Sequence, residues 1–197
     1  MHTRKTPQES TRLRAGHPSH CLGFTLIEVI VVMTVIGIMA TIAIPTFMKW
    51  MPNINLKIAA RELYTNMQMA KIQSIKENRE WALVFDTAND SYDLCDDPGA
   101  DNQWNTAADN HVVKTVLLSS YKYQIQFGNG GATPNTTVTY AATTDPDKFF
   151  VRFDPRGFGT AGYAYLQNEN QTDSFAVGTP LTGTVRLVRW KGGSTWQ

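Results

Sequence analysis

One carboxylate stands inside the least polar stretch of the chain. From Phe24 to Pro45 the 22 residues FTLIEVIVVMTVIGIMATIAIP contain a single ionisable side chain, Glu28. On insertion scales an acidic group at the centre of a membrane span costs about 2.5–3.5 kcal/mol, and such groups ordinarily have a partner. A cut in the chain would create one. Hydrolysis of the bond between Gly23 and Phe24 would leave a positive α-amino group on Phe24, one helical turn from Glu28. It would also free a helix N-terminus, where a carboxylate is favoured. The uncut chain offers Glu28 no such charge. The chemistry these residues could support is therefore processing followed by charge pairing, within the chain or with a neighbour packed alongside.

Other reactive groups lack a motif. No His, Cys and acid combination stands at catalytic spacing, G-x-S-x-G is absent, and no Gly-rich loop leads from a strand into a helix. His2, His17 and His20 precede Gly23, which leaves His111 as the one histidine after it. A lone histidine builds no zinc site without partners at defined spacing. The expectation is a non-enzymatic protein with no metal and no cofactor. Cys21 lies before the proposed cut, so Cys95 would be left without an intrachain disulfide partner and reads as a small packed side chain. Asp96, Asp97, Asp101 and Asn102 offer oxygen atoms to a hard cation but lack an EF-hand register, and a solvated loop is the simpler reading. Arg186, Arg189 and Lys191, beside Trp190 and Trp196 and without a nearby acid, form a candidate DNA-contacting set. The same residues also suit an ordinary strand with one wet face.

These groups need elements to position them. Residues 1–23 carry Arg4, Lys5, Arg12 and Arg14 against Glu9, a net +3 that leaves −2 for the remainder of a chain of net charge +1. A positive arm before an apolar run suits a segment entering the inner face of a membrane. As a helix, 22 residues at a rise of ~1.5 Å each span about 30 Å, one hydrocarbon thickness. The run is longer than a signal-peptide core, and its best small-x-small triplet, Thr41-Ile42-Ala43, lies inside it.

Pro45 and Pro52 are expected to bend or interrupt the helix. From Asn53 to about Asn78, Leu56, Ala59, Leu63, Met67, Ala70 and Ser74 recur at spacings of 3 and 4, one apolar stripe on a solvated helix. Strands are expected at 81–85, 111–118, 121–127, 136–140, 148–153, 163–166, 174–177 and 184–190, with 95–110 a polar loop. Pro155 and Gly157 fit a turn between strands, and Gly192 and Gly193 release the last one. The fold class is α+β: a long N-terminal helix, its apolar half membrane-embedded, packed on an antiparallel β-rich domain of two small sheets.

The segment GFTLIEVIVVMTVIGIMATIAIP resembles the N-terminal signature of type IV pilins and type II secretion pseudopilins, with Gly23, Phe24, Glu28 and Pro45 at matching positions. FVRFDPRGFGTAG followed by GTVRLVRWKGG is similar to the end of the GspH/FimT-type minor pilins and pseudopilins. The long leader, and Leu22 before Gly23 where Lys or Arg is usual, depart from the pattern.

The resemblance implies that a prepilin peptidase cuts between Gly23 and Phe24 and methylates the new amine. Glu28, with Pro45, would then serve assembly with other pilins or pseudopilins. It divides the chain into a leader (1–23), a transmembrane and assembly helix (24–52), and an amphipathic helix with a β-rich domain (53–197). It implies a single pass through the bacterial inner membrane, in contact with its lipid, a periplasmic C-terminal domain and later incorporation into a fibre. Two alternatives stay open: a FimT-like DNA-binding minor pilin for DNA uptake, and a plain anchored periplasmic domain.

Overall fold

The computed structural model describes residues 23–197 except 105, 107, 108, 133–135, 181 and 193–195. Gly193 lies outside the described residues. One helix, α1 (Leu26–Glu77), precedes an antiparallel β domain of two sheets, as the α+β expectation requires. The chain divides into two compact units, up to Ala43 and from Ile44 onward. In the first, every described residue except Ala40 is exposed, because an apolar run without a polar face offers no side for a soluble core to select.

In the second unit all six expected stripe residues, Leu56, Ala59, Leu63, Met67, Ala70 and Ser74, are buried, joined by Ala60 and Asn66. Fully burying a Leu or Met side chain contributes roughly 1.5–3 kcal/mol. Met69, two residues from Met67, is 41% exposed and is no part of that core. The expectation that prolines interrupt the helix is corrected, since both Pro45 and Pro52 lie inside α1. Each lacks a donor N–H, but its fixed φ near −65° is a helical value, and burial among the domain's side chains holds Pro52 in place.

The strands are β1 (Trp81–Asp86), β2 (Ser91–Asp97), β3 (His111–Leu117), β4 (Gln126–Phe127), β5 (Ala141–Ala142), β6 (Lys148–Phe153), β7 (Gly162–Gln167), β8 (Ser174–Thr179) and β9 (Arg186–Trp190). They form sheets of order β3-β2-β1-β6-β5 and β4-β7-β8-β9, and every pairing is antiparallel. Alternation sends Trp81, Leu83 and Phe85 into the core with the α1 stripe, while Ala82 and Val84 pack on the other face with Cys95 and Trp104. The Phe85 ring lies 5.6 Å from Tyr140, stacked, and 6.0 Å from Phe127, edge-on.

Three expectations change. β2 was hidden because its apolar residues alternate with aspartates: Tyr92 and Leu94 point into the main core between Asp93 and Cys95. The expected 95–110 loop therefore loses Cys95–Asp97 to a strand, and its Trp104 is buried as a lid on the outer face of the sheet. Segment 121–127 is mostly not a strand. A 3-10 turn at Leu118–Ser120 and positive φ at Tyr123 and Gln124 break the extended backbone, leaving Gln126–Phe127 paired, although Ile125 and Phe127 are buried. Within 136–140, Val138 makes an isolated bridge to Ala164, and Thr137 and Thr139 exchange main-chain bonds with β7 without forming a regular strand.

The FDPRG turn after β6 and the loop before β9 fasten the helix to the two sheets. Ser74 Oγ donates to the Asp154 carbonyl at 3.1 Å, and Lys71 Nζ to the Gly183 carbonyl at 3.0 Å. Gly157 has φ +81°, and a Cβ there would stand 3.0 Å from Ile75 Cδ1. Farther up α1, Glu62 accepts from Tyr121 Oη and from Lys114 Nζ, the latter at 2.9 Å. The buried Asn66 amide donates to Tyr92 Oη at 2.8 Å.

The bond from Tyr121, then the one from Lys114, holds the Glu62 carboxyl below its ordinary value of 4.5. A depressed folded-state pKa contributes stability that is present above the unfolded value and lost as pH falls through the folded one. Two outcomes follow for the full chain in detergent, read by tryptophan fluorescence in a urea titration. Gly157→Ala should destabilise by about 1–2 kcal/mol, the cost of a left-handed non-glycine residue. Glu62→Gln should unfold more readily at neutral pH and lose less stability than the parent below about pH 4.5; an unchanged pH profile would remove Glu62 from this account.

Candidate functional site

The N-terminal end of α1 is built by residues 23–28. Gly23 is exposed, with no atom within 4 Å of where a Cβ would stand, and the Phe24 side chain is 81% exposed. Thr25 caps the helix: its Oγ1 accepts from the Glu28 N–H at 3.2 Å, and its carbonyl accepts from the Val29 N–H at 3.2 Å. Thr25-Leu26-Ile27-Glu28 therefore has the T-x-x-E pattern of a capping box, with the threonine half formed. Residue type and charge alone do not single out Thr25, although its spacing to Glu28 is visible in the sequence. Glu28 sits in the first turn, where the helix dipole favours an anion. It lines one side of the helix with Phe24, Val29, Val32 and Met33, and among the described residues no cation pairs with it. Pro45 is exposed within the helix.

The other candidate groups are not brought into one site. Arg189 is half-buried, its guanidinium 2.9 Å from Asp173 Oδ1 and 5.5 Å from the Phe175 ring centre. Arg186, three residues away, projects from the opposite face of β9 and is exposed, as is Lys191. Trp190 is buried, and Trp196 lies 5.3 Å from the Tyr165 ring. In the acidic segment Asp96 meets Arg79 Nη2 at 2.7 Å and His111 Nδ1 at 2.6 Å. Asp97 and Asp101 each accept a main-chain N–H two residues ahead, from Gly99 and Gln103. Among the described residues no group of three or more His, Cys, Asp or Glu side chains could hold a metal ion.

The family model described as "Prokaryotic N-terminal methylation motif" matches residues 18–44, which contain Gly23, Phe24 and Glu28. The one described as "Type II transport protein GspH" matches residues 59–189, from the buried half of α1 to β9. The chain belongs to the GspH family. Among solved structures, the minor pseudopilin EpsH from the type 2 secretion system of Vibrio cholerae is similar at 13% identity, with a TM-score of 0.48, over 68% of this chain and 95% of that one. A search of the curated proteins found no match. A prepilin methylation motif joined to a GspH domain makes this a pseudopilin-type architecture, that of a structural family.

Within the GspH-family domain, Cys95 is 1% exposed and packs with Ala82, Val84 and Trp104. Burial first, then the neighbouring Asp93 and Asp96, pushes its thiol up to about 12. Reactivity follows the thiolate fraction and access. Cys95 in the folded full chain at pH 8 should therefore escape maleimide, read by peptide mass spectrometry, and should label fully in urea. Rapid labelling under native conditions would contradict its place in the packed outer face.

Proposed function

We propose that this protein is a minor pseudopilin of a type II secretion system, a non-enzymatic subunit that primes or caps a short fibre. The observation that carries the reading is the exposed apolar helix whose one carboxylate, Glu28, lies in its capped first turn beside Phe24. Residues 1–23 are the leader, removed by a prepilin peptidase between Gly23 and Phe24, with N-methylation of Phe24. Residues 24–52 anchor the chain in the inner-membrane lipid and then pack against other pseudopilins, with Pro45 an assembly position within the apolar run. Residues 53–197 form the periplasmic domain.

The mechanism follows from the charge balance. Before cleavage the dipole of the first turn of α1, whose start is fixed by the Thr25 cap on the Glu28 N–H, is what favours the carboxylate among the described residues. After cleavage an amine one turn away, in its own chain or a neighbour's, supplies the missing positive charge. Extraction into a fibre exchanges lipid for other apolar helices, and the side chains from Phe24 to Trp50 are already outward-facing for that purpose. The DNA-binding alternative gains no support from the described cations, because Arg189 is committed to Asp173 and Arg186 projects from the opposite face of β9.

Glu28→Ala should still insert and be cleaved, since it makes the span more apolar, but should enter fibres poorly. Glu28→Gln, which keeps size and polarity while removing charge, should be as defective. Intact mass and fibre fractionation from cells that carry a prepilin peptidase read both effects. Retention of residues 1–23 in the parent chain, or normal incorporation of both variants, would reject the mechanism.

A further inference from the structure

The two sheets have four edges, and three are closed. β4 and β5 have two residues each. The outer side of β9 is occupied by the chain's own last residue, since Arg189 and Gln197 exchange two main-chain bonds, at 2.6 and 2.8 Å. The fourth edge, β3, has seven residues, and among the described residues no main-chain group pairs with its outer side.

The protections of β3 are limited to irregular register at its start and to one lysine. Proteins blunt an exposed edge with prolines, charged side chains, bulges or shortness. HVVKTVL contains no proline, and its one lysine is drawn to α1, where Lys114 Nζ lies 2.9 Å from Glu62 Oε1 and 3.4 Å from Asn66 Oδ1. The register irregularities fall opposite the start of the strand, between Leu94 and Asp97, so Lys114 to Leu117 run in regular register. Val116 is buried in the core, while Val112, Val113 and Leu117 are 42%, 50% and 50% exposed. Alternation puts Val113, Thr115 and Leu117 on the outer face, with the Thr115 hydroxyl donating to Asp93 Oδ1 at 2.6 Å.

We infer that the outer edge of β3 receives an extended strand from a different subunit of the fibre, which adds to the five-stranded sheet as its sixth strand. An open row of main-chain donors and acceptors selects an extended backbone and no other conformation. The side-chain surroundings narrow the occupant further. Beside Val113, Thr115 and Leu117 it should carry uncharged, β-branched or apolar residues; beside Lys114, on the helix side, a neutral or acidic one. A second copy of β3 fits poorly, because antiparallel self-pairing would set two Lys114 side chains, each held to its own Glu62 and Asn66, opposite or diagonal on one face where neither copy supplies a small neutral or acidic neighbour. The inference rests on the fibre reading and adds to it a partner of defined backbone geometry, away from the apolar helix.

The test uses the full chain in cells that build the fibre, with photoreactive benzoylphenylalanine replacing Val113, Thr115 or Leu117 one at a time and Asn89 as an exposed control. If β3 receives a strand, the three positions cross-link to one segment of a different subunit, at sites stepping by two residues, and Asn89 does not. Val113→Lys should abolish the adduct from position 117 while leaving leader removal and membrane insertion unchanged. Incorporation into fibres without β3 adducts would overturn this inference alone. Scattered cross-links, adducts to a second copy of this chain, or loss of both incorporation and adducts would each overturn it, and the last would also remove the fibre reading.

Discussion

Between Leu56 and Ser74, α1 presents the domain with a stripe in which Ala59, Ala60 and Ala70 alternate with Leu56, Leu63 and Met67. The alanines let backbone approach backbone, and the larger side chains fill the spaces between, so the helix acts as the wall on which the core residues of both sheets close. The sheets are small, with two-residue strands at two of their edges, and neither has area enough to be stable without that wall. The polar contacts of α1 occupy fixed points around the stripe: Glu62 and Asn66 toward β2 and β3, Ser74 and Lys71 toward the FDPRG turn and the loop at Gly183. A substitution in the stripe therefore disturbs both sheets.

One continuous helix serves two surroundings, and its sequence changes where they change. From Val29 to Met48 the circumference carries no charge and is mostly apolar, a pattern stable in lipid or among other helices. Beyond it the pattern narrows to one side, and the charged residues Lys57, Arg61 and Lys76 take the solvated surface. The outward side still carries Ile54, Ile58, Ile72 and Ile75, each 46–61% exposed. That is more apolar surface than solvation calls for, and it fits a helix that meets neighbours along part of its second half as well as its first.

The helix, its buried stripe and most long strands could be read from the sequence because periodicity reports burial directly. The six stripe residues came from spacing alone. Strand β2 could not be read this way, since SYDLCDD sets aspartates among its apolar residues and their partners are far away in sequence: Arg79 and His111 for Asp96, Thr115 for Asp93. Segment 121–127 failed for the opposite reason. Tyr121, Tyr123, Ile125 and Phe127 alternate as in a strand, but Tyr121 is drawn to Glu62 on α1 and the backbone takes positive φ at Tyr123 and Gln124. Tertiary contacts overrode local pattern in both cases. At the N-terminal end, residue type singled out Glu28 as the one charge of the apolar run, and the structure puts it in the first turn of α1. The DNA-contacting set was not settled by sequence, because alternation along β9 and the Asp173 contact separate cations that look adjacent in the chain.

Thr25 changes how the charge in the apolar run is understood. An isolated carboxylate deep in a span needs a full opposite charge, but Glu28 lies at the third position of a capped helix, where the end of the dipole already favours an anion by about 0.3–1 kcal/mol. The dipole offsets only part of a cost of about 2.5–3.5 kcal/mol at the centre of a span. The remainder depends on depth in the membrane and on a cation. On the proposed cleavage, a residue partly stabilised before the cut would gain further by meeting an amine. That intermediate position, set by the start of α1 between Thr25 and Glu28, is what the proposed change from anchor to fibre contact requires.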